Sequence, residues 1–357
     1  MLRLPAFAYA APDSVAGVLD ALAAAAPGRA RVIAGGTDLL PNLKHGIEEA
    51  DVVVSLRDVA ELRGVSELRG AEAAEAGVPE GSLRLGATTL LEEVAGHPLV
   101  RERYRSLAQA AGLVAGPHHR RMGTIGGNVC LNTRCVYINQ THFWRSALGF
   151  CLKKDGEACH VVKGGKRCVA AASNDTAPPL MTHDARLLVA RRDAATGLVQ
   201  RRQLPLAEFF VKDGVHNNTL APDELLLAVL LPPPAPRTHS AYVKLRPRDS
   251  IDFPRLGVAA AFRLGGGDGL AAMAGEAVVT DLRLVVTALA AVPQPLRDVG
   301  ALAEGRVPGE ELWDELAAAA HRQCHPLANI DGDAAWRREM VPVFVKRALR
   351  SAVDVAR

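Results

Sequence analysis

No run of this 357-residue chain reaches the 18 or so consecutive apolar residues that a membrane-spanning helix needs. The longest candidate, Leu225 to Leu231, ends in Pro232-Pro233-Pro234 and reads as a buried strand leading into a linker. Neither sign of charge is in excess: 42 Lys and Arg stand against 39 Asp and Glu, and the arginines are scattered. That balance argues against a nucleic-acid footprint. Aromatics are scarce at 4%. Met1 to Ala11 carries Pro5 and no sustained apolar stretch, so no secretory leader is expected and a cytoplasmic location follows. Cysteine is sparse too, with six in total, but Cys135, Cys151, Cys159 and Cys168 fall in one polar stretch. In a reducing compartment clustered thiols hold metal or do redox work more often than they form disulfides.

What remains is an ordinary globular balance, 49% hydrophobic and 23% charged, at a length that calls for two or three domains. Asp13 or Ser14 caps a helix running through Ala25, with Leu19 and Leu22 on one face, and Pro27-Gly28 ends it. Arg31 to Ala34 reads as a strand, Gly35-Gly36 as a turn, Thr37 to Lys44 as a helix start and Asp51 to Leu56 as a second strand. A second segment opens on the alternating strand Leu83 to Thr88, followed by a short helix to Ala95 and a longer one from Leu99 to Ala111. Thr133 to about Ala172 sustains no period; a strand pattern resumes at Leu180 to Ala190, and Leu206 to Val211 is a short helix. Pro232 to Pro236, four prolines in five residues, is the linker. Strands at Tyr242 to Leu245, Gly257 to Leu264 and Asp281 to Ala290 then precede helices at Glu310 to Gln323 and Ala334 to Val353. Strands followed by helices make an α+β unit. Trp336, Met340 and Phe344 share one face of the last helix, which Pro342 is expected to kink or split.

Three constellations carry chemistry. In Ala34-Gly35-Gly36-Thr37-Asp38, glycine reaches positive φ without steric cost and lets backbone amides approach a ligand. Successive amides ahead of a helix form an anion nest suited to a pyrophosphate. The same pattern serves any tight strand-to-helix turn, and the third glycine of the dinucleotide fingerprint is missing. Gly123-Thr124-Ile125-Gly126-Gly127-Asn128 makes a second such loop, and the two together suit the ends of one diphosphate. Lys244, Arg248 and Asp252 recur every fourth residue around Pro247. They form either a solvated, salt-bridged turn or a cationic edge for a flavin or its phosphates.

In this order and spacing the motifs resemble the FAD-binding subunits of the xanthine dehydrogenase and aerobic carbon-monoxide dehydrogenase family, from about Pro5 to Leu349, including Ala335-Trp336-Arg337-Arg338. The resemblance implies an α+β fold: a two-subdomain, PCMH-type FAD-binding domain over 1–231 (about 1–58 and 59–231), a linker at 232–236 and a C-terminal flavoprotein domain over 237–357. It assigns Ala34, Gly35, Gly36, Thr37, Asp38, Thr124, Ile125, Gly126, Gly127 and Asn128 to FAD, with Asp175 and Lys244 also at the cofactor. No catalytic residue is implied on this chain. Ala171 to Leu180 resembles the family's continuation from the second loop, displaced by about forty residues, so 133–172 reads as an insertion.

The inserted cysteines leave gaps of 15, 7 and 8 residues. Four thiolates hold a [4Fe–4S] cluster, a [2Fe–2S] cluster or zinc, and spacing alone leaves the metal open. The loop is similar to that of 4-hydroxybenzoyl-CoA reductase beta subunits, which carry a [4Fe–4S] cluster there. Position by position, its ligands fall on Cys135, Cys151, Cys159 and Cys168. Cys130 reads as a packing thiol tied to the flavin loop, and Cys324 as structural. The resemblance implies electrons passing from ferredoxin through the cluster and FAD to a small [2Fe–2S] subunit and a molybdopterin-containing large subunit, for reductive dehydroxylation to benzoyl-CoA. The alternatives are an FAD subunit of a related molybdenum hydroxylase with outward electron flow, and a stand-alone flavin oxidoreductase. Lys153, Lys154, Lys163, Lys166 and Arg167 surround the ligands and suit steering of an acidic donor.

Overall fold

The structure, a computed structural model, describes residues 2–193, 195–266 and 277–353. Residues 1 and 354–357, at the outer ends of the two expected domains, lie outside the described residues, as does the stretch 267–276. No helix among the described residues is long and apolar enough to cross a membrane.

Three sheets organise the chain. The first is parallel and three-stranded: β1 (Ala8–Ala10) and β2 (Ala30–Ile33) flank β3 (Val52–Ser55). Helix Val15–Ala24 connects β1 to β2, and its cap is Ser14, whose side chain accepts the Gly17 amide at 3.3 Å. The second sheet is antiparallel. It holds β4 (Val65–Glu67), β5 (Leu83–Gly86), β6 (Arg186–Arg192), β7 (Val199–Pro205) and β8 (Glu224–Leu231) in the order β4-β5-β8-β6-β7. The third is antiparallel as well, with β9 (Thr238–Leu245), β10 (Leu256–Gly266), β11 (Ala277–Thr287) and β12 (Gln294–Pro295) ordered β12-β11-β10-β9.

All eight residues of β8 are buried, which explains its unbroken apolar sequence. Leu225 and Leu227 pack with the helix Val15–Ala24, while Leu226, Val229 and Leu231 face the opposite core. Strict alternation would put Leu227 and Val229 on one side. The β6 register skips Leu227, pairing Val189 with Leu226 and Leu188 with Ala228, and this bulge reverses the faces. The Leu227 carbonyl accepts the Ala87 amide at 2.9 Å, so the bulge anchors the chain just past β5.

The third sheet is covered by helices Glu310–Gln323 and Ala334–Val353 over a core that includes Phe262, Trp313, Val341 and Phe344. Its other face meets helix Arg105–Leu113 through Ala110, Tyr242 and Ala259.

Several expected elements differ in detail. The helix expected over Leu99 to Ala111 is two, Pro98–Arg103 and Arg105–Leu113. Tyr104 breaks it at φ −134°, ψ 55°, fully buried with its hydroxyl donating to the Pro232 carbonyl at 2.7 Å. Leu180 to Ala190 begins as the end of helix Ala177–Thr182, and the strand starts only at Arg186. The last helix runs unsplit across Pro342 because Val341, Phe344, Val345 and Ala348 are held in the core. Its buried face includes Arg337, Val341 and Ala348, so Trp336 lies outside it, 40% exposed and under the Arg255 guanidinium.

Candidate functional site

The chain leaves β2 directly into Ala34–Asp38, and Gly36 takes φ +69° to make the turn. Gly35 has no room for a side chain: an added Cβ would land on the Met122 carbonyl and 3.0 Å from the Gly123 amide nitrogen. The two glycine loops are therefore in backbone contact. One cavity is lined by Ala34, Gly35, Gly36, Thr37 and Asp38 together with Thr124, Gly126, Gly127 and Asn128. Leu39, Leu225, Leu226 and Phe253 add apolar wall.

The loops differ in what they offer. No protein acceptor among the described residues takes the amide hydrogens of Gly35, Gly36, Thr37 or Asp38. Such a row of free donors beside an apolar cavity fits a ligand carrying a diphosphate. In the second loop the amides of Ile125, Gly126 and Asn128 donate to the carbonyls of Thr89, Ala87 and Thr124, each at 2.9 Å. The Gly127 amide donates to the Thr124 hydroxyl at 3.1 Å. Gly126 packs so closely that a Cβ would meet the Ala87 oxygen at 2.7 Å. Ile125 is fully buried in the core and does not line the cavity. The second loop thus braces the first, and Thr124 keeps its own amide free.

Asp175 and Lys244 do not line this cavity. They form a buried ion pair at 2.9 Å where the third sheet meets the rest of the chain. Lys244 also donates to the Leu113 carbonyl at 3.0 Å, and the Tyr242 hydroxyl donates to Asp175 at 2.8 Å. Burial pushes the Asp175 carboxyl up, against the opposing pull of Lys244 and Tyr242. Arg248 and Asp252 make a separate pair in the turn after β9, with Arg248 exposed. Asn128 reaches across to the segment beside Asp175: its side-chain oxygen accepts the Thr176 amide at 3.0 Å and the Thr176 hydroxyl at 2.6 Å.

The cysteine stretch leaves and returns at one point. Arg134 and Ala171 exchange both backbone hydrogen bonds, at 2.8 and 2.7 Å, which closes the neck. At that neck the Arg134 guanidinium pairs with Asp38 of the first glycine loop and stacks on Phe253 at 4.6 Å. Further anchors hold the excursion down. Arg145, almost wholly buried, donates to the His45 carbonyl at 2.6 Å, Lys154 pairs with Glu49 at 2.6 Å, and the Asn132 amide donates to Glu48 at 2.9 Å.

Cys135, Cys151, Cys159 and Cys168 line a single small cavity with Ile138, Val161 and Ala170 as apolar wall. All four are free thiols. They share the cavity without converging on one point: among the described residues no three His, Cys, Asp or Glu stand at metal-binding geometry. Burial pushes the Cys135 thiol up to about 11 and raises Cys168 as well. Buried thiolates need a cation to offset that cost, and the donors are almost all sulfur. His160 also lines the cavity, but its Nε2 contacts the Phe150 carbonyl at 2.5 Å. This chemistry fits an iron–sulfur group or a thiolate-bound metal. Cys130 faces the glycine-loop cavity instead, its thiol pushed up to about 12 by burial, and Cys324 sits in the C-terminal core.

Other residues at the site carried no local sequence signal. Gly214 presses on Cys168, where a Cβ would come within 2.6 Å of the sulfur. Phe253 lines both the glycine-loop cavity and a neighbouring one that reaches Cys135. Lys153 is half-buried, its Nζ held by Asn132 and Thr133, and it lines the thiol cavity. Lys163, Lys166 and Arg167 stay exposed.

Comparison with known proteins places the chain in one family. Residues 5–234 match the FAD binding domain in molybdopterin dehydrogenase, and residues 241–352 the CO dehydrogenase flavoprotein C-terminal domain. The aldehyde oxidoreductase FAD-binding subunit PaoB of Escherichia coli strain K12 is 31% identical over 82% of this chain and 84% of its own. The carbon monoxide dehydrogenase medium chain of Hydrogenophaga pseudoflava is 28% identical over 98% and 97%. A solved structure of carbon monoxide dehydrogenase from the same organism, lacking the Mo-pyranopterin moiety, superposes with a TM-score of 0.75 at 25% identity, covering 99% of each chain. The chain belongs to the FAD-binding subunits of the molybdenum hydroxylase and carbon monoxide dehydrogenase medium-chain family.

Proposed function

We propose that this chain is the FAD- and [4Fe–4S]-containing electron-transfer subunit of a 4-hydroxybenzoyl-CoA reductase, acting in the cytoplasm with a molybdopterin-containing large subunit, a small [2Fe–2S] subunit and a ferredoxin donor. FAD accepts one or two electrons and an iron–sulfur cluster one, so together they convert single-electron supply into paired delivery. The chain's own residues hold these groups apart from bulk water. Gly35, Gly36, Thr37 and Asp38 present amides to a diphosphate; Cys135, Cys151, Cys159 and Cys168 supply thiolates. We take the FAD-binding unit to end at the proline run 232–236 and the loop 133–172 to be its insertion.

The observation that carries this reading is the inserted loop itself. Four cysteines share one small cavity on an excursion whose neck, through Arg134, is bonded to Asp38 of the flavin loop. A loop placed there suits an electron entry beside the flavin. The test is anaerobic reduction of the flavin in the purified complex. Reduction by ferredoxin and not by NADH supports the proposal. The reverse favours the second reading, a molybdenum hydroxylase subunit with outward flow, towards which the similarity to aldehyde and carbon monoxide dehydrogenase subunits points. A chain that purifies alone and turns over a small substrate contradicts both.

A further inference from the structure

We propose that Lys153 is a positioning residue that sets the reduction potential of the group held by the four cysteines, its ammonium charge favouring the reduced form. This rests on the [4Fe–4S] reading above.

Lys153 lines the thiol cavity, two residues from Cys151. Its Nζ has three acceptors, one for each proton of an ammonium: Asn132 Oδ1 at 2.7 Å, Thr133 Oγ1 at 2.6 Å and the Gly214 carbonyl. Each acceptor is itself fixed. Asn132 Oδ1 also accepts the Thr133 amide at 2.8 Å, and the Thr133 hydroxyl donates to the Gly214 carbonyl at 2.7 Å. Gly214 in turn donates its amide to the Cys168 carbonyl at 2.8 Å and leaves no room for a side chain against the Cys168 sulfur. The ammonium is thereby locked to a residue, Gly214, that touches one of the four cysteines.

All three acceptors are neutral. The adjacent Lys154 pairs with Glu49 and Asp155, yet among the described residues no carboxylate lies within ion-pair distance of Lys153. A charge taken partly out of water without a counter-charge is costly. The negative charge that acts on it comes from Glu48, beyond ion-pair distance, and from Cys168 and Cys135 across the cavity once they are ionised as ligands. An iron–sulfur group ligated by thiolates becomes more negative on reduction, and a fixed cation beside it stabilises that state.

The experiment compares midpoint potential, iron content and FAD content in anaerobically purified complex carrying wild-type chain, Lys153→Met or Asn132→Asp. The second variant keeps the lysine and gives it a carboxylate partner of nearly unchanged shape, while exchanging the Asn132 donation to Glu48 for a like-charge contact. Retained iron with a midpoint lowered at least tenfold in the one-electron equilibrium, about 59 mV, in Lys153→Met is the expected result. Asn132→Asp shifts in the same direction. An iron-loaded Lys153→Met with the wild-type midpoint overturns the proposal; if that variant fails to load iron, an unshifted midpoint in Asn132→Asp overturns it. Wild-type protein without iron overturns the cluster reading itself, whereas unmoved potentials in iron-loaded variants overturn only the role of Lys153.

Discussion

Replacing Gly35 with alanine should separate the two glycine loops. The added Cβ meets backbone, the Met122 carbonyl, so no rotamer change relieves it. Ordinary contact needs 3.4 Å or more, and the loops must part by well over an ångström. Overpacking costs typically about 1–3 kcal/mol, occasionally more, and a backbone-on-backbone clash belongs at the upper end. A loss of about 3 kcal/mol lowers Tm by about 6–12 °C on the scale of domains of 150–250 residues. The free amides of Gly35 to Asp38 then no longer face the Thr124 side of the cavity, so FAD content falls with stability. Gly127→Ala is the matched control. Its Cβ meets only the Thr124 hydroxyl at 3.1 Å, and it lies in helix Ile125–Val129, where alanine is favoured by about 1 kcal/mol. The assay is Tm by thermal denaturation together with flavin absorbance per chain after gel filtration. Wild-type Tm and full FAD in Gly35→Ala would falsify the contact argument, as would an equal loss of Tm in Gly127→Ala.

Three further outcomes follow from other parts of the chain. Cys159→Ser should lose the metal while keeping FAD, because Cys159 lines the thiol cavity and not the glycine-loop cavity; the iron-to-flavin ratio reads this directly, and an unchanged ratio argues against ligation. Lys244→Met leaves Asp175 buried without its partner and should cost about 3–5 kcal/mol, which urea denaturation measures. Pairing it with Asp175→Asn should recover part of that loss, and no recovery would show that the two residues act independently. Burial depresses the His183 imidazole from 6.5 to about 4, so the unfolded chain binds the proton first as pH falls. Stability present above pH 6.5 is then lost between 6.5 and about 4, by about 3 kcal/mol, and His183→Gln should flatten that slope in urea titrations.

Local features were legible in the sequence wherever local chemistry decided the outcome. Ser14 caps its helix as its type and position require, and Gly36 takes the positive φ its turn needs. Helices Glu310–Gln323 and Ala334–Val353 lie where their residue patterns place them. Relations between distant segments were not legible. Both glycine loops look alike as strings, yet one presents free amides and the other uses its amides as a brace, because Ala87 and Thr89 arrive from elsewhere to accept them. The bulge at Leu227 leaves no trace in a strand that is apolar throughout. Asp175 and Lys244 meet only after the third sheet docks, and Gly214 reaches Cys168 from outside the cysteine loop. Lys153 and Lys154 are neighbours in a basic stretch, but only the fold assigns one to the thiol cavity and the other to Glu49.

The central claim, that the inserted cysteines hold an iron–sulfur cluster beside a flavin, is tested most directly by metal analysis of anaerobically purified protein. The account predicts about four irons and four acid-labile sulfides per chain together with one FAD. About one zinc per chain with neither iron nor sulfide would contradict it.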